Sequence, residues 1–307
     1  MLLALVLSAC RVYSYHNTYA VIIGVADYEE FSRNDGDLLY TVNDAKKFCE
    51  FLKSRQGGMV PEENIVLLLN EQATKSNIIK QSKQLFARAN ANDRVIFYYS
   101  GHGWKECFMP YDVTKRGRNL LYFDEVKDIF RCARCNTKLL FADACFAGTM
   151  KESIIRKSTK RSNRKNKDKD NINIAVMMSC KADETSLELG SLKQGVFTYY
   201  LMEGLGGEAN KDGNNYITIQ ELFYYMYQKV QDKAAKKDSK QTPELFGNFD
   251  LRLIVANVGQ PEETQDEVMT PERRYNIKLI IIIAAAYLIV TVAVFLMIKN
   301  INKTQNK

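Results

Sequence analysis

The stretch VIFYYSGHG, residues 95–103, decides the fold, because a buried apolar run ends there in a histidine between two glycines. A second stretch of the same form, KLLFADACFAG at residues 138–148, contains Cys145. Such runs are typical of strands in a parallel sheet. If the two strands are neighbours, an imidazole and a thiol meet at the carboxyl edge of the sheet, where open α/β folds place active sites. The arrangement indicates a cysteine hydrolase. His102 must be its base, since the other histidine, His16, precedes the first strand.

Apolar strands and amphipathic helices alternate on both sides of these stretches. Short connections between them predict an α/β fold with a mostly parallel central sheet flanked by helices. The predicted strands are residues 19–25, 65–69, 95–100, 138–142, 172–179, 217–219 and 251–255. The predicted helices include residues 42–52, 78–89, 123–131, 196–205 and 220–230.

The net charge of +7 is concentrated in one tract. Residues 151–170 hold nine Lys and Arg against three Asp and Glu, which leaves about +1 for the rest of the chain. A folded basic face is therefore absent from the pattern, and we do not expect nucleic acid as a partner. The tract is too polar to bury surface, so residues 151–171 are predicted to be a mobile linker between a large part, 19–150, and a small part, 172–256, of one domain.

Residues 279–298 form an uncharged run, LIIIIAAAYLIVTVAVFLMI, long enough to span the roughly 30 Å hydrocarbon core of a bilayer. We predict a single transmembrane helix at 277–299, a juxtamembrane spacer at 257–276 and a short tail at 300–307. Basic residues flank both ends of the run, so the orientation stays open.

The amino terminus, residues 1–18, is apolar and short. Leu7-Ser8-Ala9-Cys10 resembles a bacterial lipobox, in which case Cys10 would carry a lipid and the globular part would lie in the cell envelope. The alternative is a merely apolar terminus, because a signal peptide normally has a charged start and a longer apolar region.

Seven cysteines at irregular spacings predict no disulfide framework. Cys132 and Cys135 form a lone CxxC without a second pair or histidines, so we expect ordinary buried thiols and no zinc site. Cys145 differs from these because a histidine base can activate it as a nucleophile. Gly103, next to His102, can free its backbone N–H to stabilise an oxyanion.

Several motifs in order resemble the caspase-like cysteine peptidases, with the metacaspase and paracaspase branch and its bacterial relatives the most similar. Besides the two stretches above, the motifs are YAVIIGV (19–25), TVNDAKKF (41–48), CFMPYDV (107–113), MMSCKADETSLE (177–188) and KQGVFTYYLMEGL (193–205). The resemblance implies the caspase-haemoglobinase fold, a His102–Cys145 dyad and the Gly103 amide in the oxyanion hole. Caspases carry Gln-Ala-Cys, whereas this chain has Asp143-Ala144-Cys145, as metacaspase-like proteins do.

The same resemblance implies an acidic S1 pocket. Its expected acids are Asp44, Asp143 and, third, Asp183 or its neighbour Glu184. Clustered carboxylates would pair with a cationic side chain and repel a P1 aspartate, which predicts protein or peptide substrates with Arg or Lys at P1. Alternatively, Asp44 only caps the start of its helix or forms a salt bridge there. Nine basic residues after Cys145 would suit autoprocessing of the linker by such an enzyme, or they form an inert solvated loop.

Residues 210–221 follow the ligand pattern of an EF-hand calcium loop, with ligand types at Asn210, Asp212, Asn214 and Glu221. The first position is Asn instead of Asp and the sixth is Asn instead of Gly. Both a calcium site and a plain turn fit this pattern, and the chemistry expected at Cys145 requires no cofactor.

The sequence thus predicts a membrane-anchored cysteine endopeptidase that cleaves after Arg or Lys. Two alternatives remain: a catalytically idle caspase-like interaction module, and an acyl transferase of the legumain or transamidase type.

Overall fold

The structure is a computed structural model that describes residues 17–31, 38–104, 106–144 and 173–258. The chain splits into two units, Met1–Gly259 and Gln260–Lys307, and all described residues belong to the first. Its strands are β1 (Thr18–Gly24), β2 (Ile65–Leu69), β3 (Arg94–Ser100), β4 (Gly103–Trp104), β5 (Cys107–Phe108), β6 (Leu121–Tyr122), β7 (Thr137–Asp143), β8 (Ala175–Met178), β9 (Glu188–Leu189), β10 (Gln194–Gly195), β11 (Tyr216–Thr218), β12 (Glu244–Gly247) and β13 (Ile254–Asn257). Its α-helices are α1 (Thr41–Lys53), α2 (Lys75–Phe86), α3 (Phe123–Arg131), α4 (Val196–Glu203) and α5 (Ile219–Ala235).

The central sheet has six strands in the order β12-β8-β7-β3-β1-β2. All neighbours are parallel except β12, which runs antiparallel to β8. The predicted α/β fold with a mostly parallel sheet is confirmed. β3 and β7 are parallel neighbours, which is the arrangement that the expected His102–Cys145 dyad requires, and their register places Ser100 opposite Asp143.

Helices cover both faces of the sheet, as the continuous apolar strands require. In β1, Val21 and Ile23 pack with apolar residues of α2 and α3, whereas Ala20 and Ile22 pack with those of α1, α4 and α5. All four side chains are fully buried. Burying each large apolar side chain contributes about 1.5–3 kcal/mol, so both faces stabilise the sheet that carries the site.

The carboxyl-terminal strands differ from the prediction. The last strand was expected at residues 251–255, but β13 begins at Ile254 and pairs with β11 in a separate two-stranded sheet. The reason is a turn at Asp250, whose carboxylate accepts a bond from the Arg252 amide (2.9 Å) while its carbonyl accepts one from the Leu253 amide (2.9 Å). The edge strand of the central sheet is instead β12, which is too short and too polar to be recognised as an apolar run.

Within the described ranges, no helix has the length and apolarity to cross a membrane. The predicted membrane segment at 277–299, Cys10 and the linker at 151–171 all lie outside those ranges.

Candidate active site

His102 lies two residues beyond the carboxyl end of β3, at the edge where β3 and β7 end side by side. Its backbone amide donates to the Tyr28 hydroxyl (2.8 Å), and its imidazole lies against the Tyr28 ring, with centroids 5.3 Å apart. Its carbonyl accepts a bond from the Met109 amide (3.0 Å). These contacts hold the half-buried histidine at the sheet edge. Gly103 follows it as the first residue of β4.

Asp44 comes to the same edge on the first turn of α1. The start of α1 is fixed to the end of β1, because the Thr41 hydroxyl donates to the Val25 carbonyl (2.9 Å). Gly24 makes this approach feasible, since a Cβ there would lie 2.7 Å from the Ala45 Cβ. The Asp44 carboxyl is 1 % exposed and accepts bonds from the Ser100 hydroxyl (3.3 Å) and the Gly195 amide (3.1 Å).

Asp143 ends β7 and is buried against the first turn of α4. The Thr198 amide (3.1 Å) and hydroxyl (2.8 Å) both donate to its Oδ2, and the Ser186 hydroxyl donates to its Oδ1. Thr198 is in the first turn of α4, where free amides and the helix dipole favour a negative charge. The carboxyl of Asp143 is therefore well supplied with donors although the residue is buried.

One pocket is lined by His102 and by three acids, Asp44, Asp143 and Glu188. We call the part of the pocket formed by these three acids the acid pocket. The pocket has a volume of about 300 Å³, part of which is open to solvent. Within the described part of the chain, no lysine or arginine lines it. Burial, and next the nearby Asp143 carboxylate, raise the pKa of Asp44 to about 9, and burial raises that of Asp143. Among the described lining residues, the carboxyls of the acid pocket therefore have no lysine or arginine beside them.

Glu188 is a pocket acid that the sequence reasoning missed. It is the first residue of β9 and accepts bonds from the backbone amides of Leu39 (3.0 Å) and Tyr40 (2.8 Å), just before α1. The pairing of β9 with β10 brings it next to Gly195, and no spacing rule in the sequence marks this contact.

The two residues expected as the third acid lie elsewhere. Asp183 is exposed and does not line the pocket. Glu184 is buried, but its carboxylate accepts bonds from the Thr242 amide (2.6 Å) and hydroxyl (3.0 Å) and pairs with Lys240 (3.4 Å). Glu184 thus links the loop after β8 to the segment before β12. It does not line the acid pocket.

The caspase domain family matches residues 17–252, which include every element described above except β13. The chain belongs to the caspase domain family of peptidases. The resemblance seen in the sequence motifs is thereby confirmed. The caspase domain is also similar to curated relatives with more specific names.

A probable protease from a Desulfuromonadales bacterium is 27 % identical over 74 % of this chain and 31 % of its own length. Metacaspase-1 of Eremothecium gossypii is 28 % identical over 47 % of this chain and 35 % of its own length. Metacaspase-4 of Arabidopsis thaliana is 26 % identical over 46 % of this chain and 37 % of its own length. The chain therefore spans only about a third of the length of these relatives.

A crystal structure of a protein from Geobacter sulfurreducens has the same fold. It superposes with a TM-score of 0.53 at 14 % identity and covers 79 % of this chain and 98 % of the other. At this identity the similarity concerns the fold alone.

The EF-hand-like loop of the caspase domain uses its polar side chains for local bonds. Asp212 accepts from the Asn214 amide (3.1 Å) and side chain (2.7 Å), while Asn210 donates to the Asn214 carbonyl. Glu221 forms a capping box with Thr218 at the start of α5. In the described part of the chain, no group of three or more His, Cys, Asp and Glu is arranged to hold a metal ion.

The CxxC cysteines are separate thiols. The Cys135 thiol is buried and donates to the Thr137 carbonyl (3.4 Å), and burial raises its pKa to about 11. The Cys132 thiol is half-buried and contacts the Asp128 carbonyl (3.6 Å) at the end of α3. For Cys135 this agrees with the expected buried thiol.

Proposed function

We propose that this caspase domain is a cysteine endopeptidase that cleaves after Arg or Lys, with Cys145 as nucleophile and His102 as base. The acid pocket beside His102 is the observation that carries the proposal. Three carboxyls without a lysine or arginine partner in the described pocket wall create a strong preference for a cation.

The register of the sheet supports the dyad. Ser100 and Asp143 are opposite each other in β3 and β7. His102 follows Ser100 by two residues, and Cys145 follows Asp143 by two residues in the sequence. Cys145 itself lies outside the described residues, but Ala144, immediately before it, lines the same pocket as His102.

The proposed reaction follows the chemistry of these groups. His102 accepts the thiol proton of Cys145, and the thiolate attacks the carbonyl carbon of the P1 residue. The backbone N–H of Gly103 donates to the resulting oxyanion. The imidazolium then gives its proton to the leaving amine, and water hydrolyses the thioester with His102 as base. The reaction needs no metal, and calcium, if it acts, would act on the conformation of the protein.

The acid pocket would select the P1 side chain. The arginine guanidinium can donate to two carboxylates at once from different nitrogens. The lysine ammonium can also donate to two carboxylates, because its single nitrogen carries three N–H donors. A P1 aspartate would add a negative charge to buried carboxyls and be rejected. Glu188 replaces Asp183 as the third acid in this proposal, because it lines the pocket with Asp44 and Asp143.

Membrane anchoring and autoprocessing are part of the same proposal. The uncharged run at 279–298 supports a single-pass anchor, and the Cys10 motif supports a second, lipid anchor. The linker at 151–171 is rich in Lys and Arg, the residues after which the proposed enzyme would cleave. Cleavage there would separate the large part from the small part of the domain.

The test uses the full chain in detergent with fluorogenic peptides that end in Arg, Lys, Asp or Asn. We expect cleavage after Arg and Lys only, lost in Cys145→Ala and retained in Cys132→Ala, which instead removes the thiol that directly follows α3. Linker cleavage should likewise stop in Cys145→Ala. Silence on all four peptides, with Cys145 unreactive toward a basic chloromethylketone, would favour an idle interaction module. Transfer of the acyl group to an added amine after Asn would favour the acyl transferase.

A further inference from the structure

Gly195 lies at a point where the two buried acids of the pocket converge. It ends β10 and is the N-cap of α4. A Cβ built on Gly195 would lie 2.3 Å from Asp143 Oδ2 and 3.0 Å from Asp44 Oδ2. Any side chain at this position would therefore occupy the space into which both carboxyls point.

The backbone conformation of Gly195 does not require glycine. Its φ of −64° and ψ of 141° are extended values that any residue adopts. Only the lack of a side chain distinguishes glycine here, so the requirement comes from the surroundings of the residue. Those surroundings are the carboxyls of Asp44 and Asp143.

The amide of Gly195 also orients one of these acids. It lies 3.1 Å from each of the two carboxyl oxygens of Asp44, and three residues later Thr198 donates to Asp143. The amino end of α4 thus supplies donors to both acids. Gly195 makes this arrangement feasible, because both carboxyls can approach the helix start only where no Cβ intervenes.

We propose that Gly195 is a specificity-determining position: its missing side chain lets Asp44 and Asp143 converge on a single P1 cation. This inference rests on the proposed function of the acid pocket. A side chain at 195 would displace one carboxyl and leave the P1 cation with fewer partners. The reacting bond, which is cleaved at the dyad, would be unaffected.

The test compares Gly195→Ala with Gly190→Ala in the full chain. Gly190 lies in the same β9–β10 connection, and a Cβ there meets only the Tyr40 hydroxyl, at 3.4 Å. Two peptides that differ only in arginine or its uncharged analogue citrulline at P1 report selectivity. We expect Gly195→Ala to lower the ratio of kcat/KM for arginine over citrulline at least about tenfold, mainly through KM, and Gly190→Ala to leave it unchanged.

A ratio in Gly195→Ala within about twofold of the wild type would overturn the inference. If the wild type itself does not prefer arginine, the proposed function is wrong. Failure of the inference on Gly195 is thus distinguished from failure of the proposed function. A folding defect is addressed by adding both Asp44→Ala and Asp143→Ala to Gly195→Ala. If the two carboxyls are the obstacle, the triple variant should unfold at the same temperature as Asp44→Ala/Asp143→Ala. A triple variant that still fails to fold, when the double variant folds, would show that Gly195 serves another purpose.

Discussion

The acid pocket and the 210–221 loop both contain acidic side chains, but their carboxyls have opposite surroundings. In the loop, Asp212 bonds a residue two positions away and Glu221 bonds one three positions away. In the pocket, Asp44 bonds a residue 151 positions away and Asp143 one 55 positions away. The loop acids are satisfied by their own turn, whereas the pocket acids are held together by the whole fold.

This difference shows which acids are available for a ligand. A carboxylate that caps its own helix contributes to stability and has few acceptor sites left. Two buried carboxyls in one pocket repel each other when both are charged, which destabilises the free site and favours a cation. Acidic residues in the sequence are therefore a poor guide to a binding site unless their partners are known.

The largest expected effect is that of Asp143→Asn on cleavage after arginine. Removing a buried charge that pairs with a substrate cation should lower kcat/KM by about a hundredfold or more. Asp183→Asn, at the exposed position, should change it by less than about twofold. Steady-state kinetics of both variants check this. Equal losses in the two variants would mean that burial does not distinguish the functional acid.

The pH dependence of the preference for arginine over citrulline at P1 tests whether Asp44 holds a proton in the free pocket. Because the pKa of Asp44 is raised from 3.8 to about 9, the free carboxyl binds a proton at pH 7 that a P1 cation must displace. The ratio of kcat/KM for arginine over citrulline should rise between pH 6 and pH 9, by at most about tenfold per unit. Arginine stays charged throughout, and any pH effect that is common to both peptides cancels in the ratio.

Asp44→Asn removes the titrating group and should flatten this profile. Glu221→Ala, in the 210–221 loop, should retain the wild-type slope because its carboxylate lies outside the acid pocket. A wild-type ratio that does not change across the range would contradict a proton-bound pocket.

The smallest expected effect is on thermal stability. Removing a carboxyl from the acid pocket and removing one from the 210–221 loop should change the stability in opposite directions. Between pH 4 and pH 9 the folded state holds the Asp44 proton that the unfolded chain has lost, so stability falls as pH rises. Asp44→Asn should therefore stabilise the protein at pH 8, by about 1–2 kcal/mol. Glu221→Ala should destabilise it by about 1 kcal/mol through loss of the capping box.

Thermal unfolding monitored at pH 5 and pH 8 checks both changes. The gain from Asp44→Asn should be larger at pH 8 than at pH 5, whereas the loss from Glu221→Ala should be similar at both. A pocket variant that loses stability at pH 8 would indicate that Asp44 is structural, as a helix cap would be.

Most of the central sheet could be predicted because buried parallel strands require continuous apolar runs. β2 and α3 have the predicted bounds, and β1, β3 and β7 differ by one residue at their ends. β12 was missed because an edge strand of four residues has no such run. The strand before Val258 was misplaced because Asp250 forms a turn that the apolar pattern does not reveal.

The candidate site was predictable only in part. Asp44 and Asp143 were inferred from the resemblance to known peptidases, and the structure places both in the acid pocket. Asp183 was inferred in the same way but is exposed. Glu188 and Gly195 had no local signal, since their role depends on the pairing of β9 with β10 beside α1 and α4.

By itself, the sequence determined the α/β class and the caspase family, because apolar runs and motif order can be read along the chain. Only the tertiary structure decided which carboxyls share a pocket. Contacts such as that between Asp44 and Gly195 join residues 151 positions apart, and their geometry depends on how helices pack on the sheet. Burial then sets the charge state of each acid, and no residue type or spacing in the sequence determines burial alone.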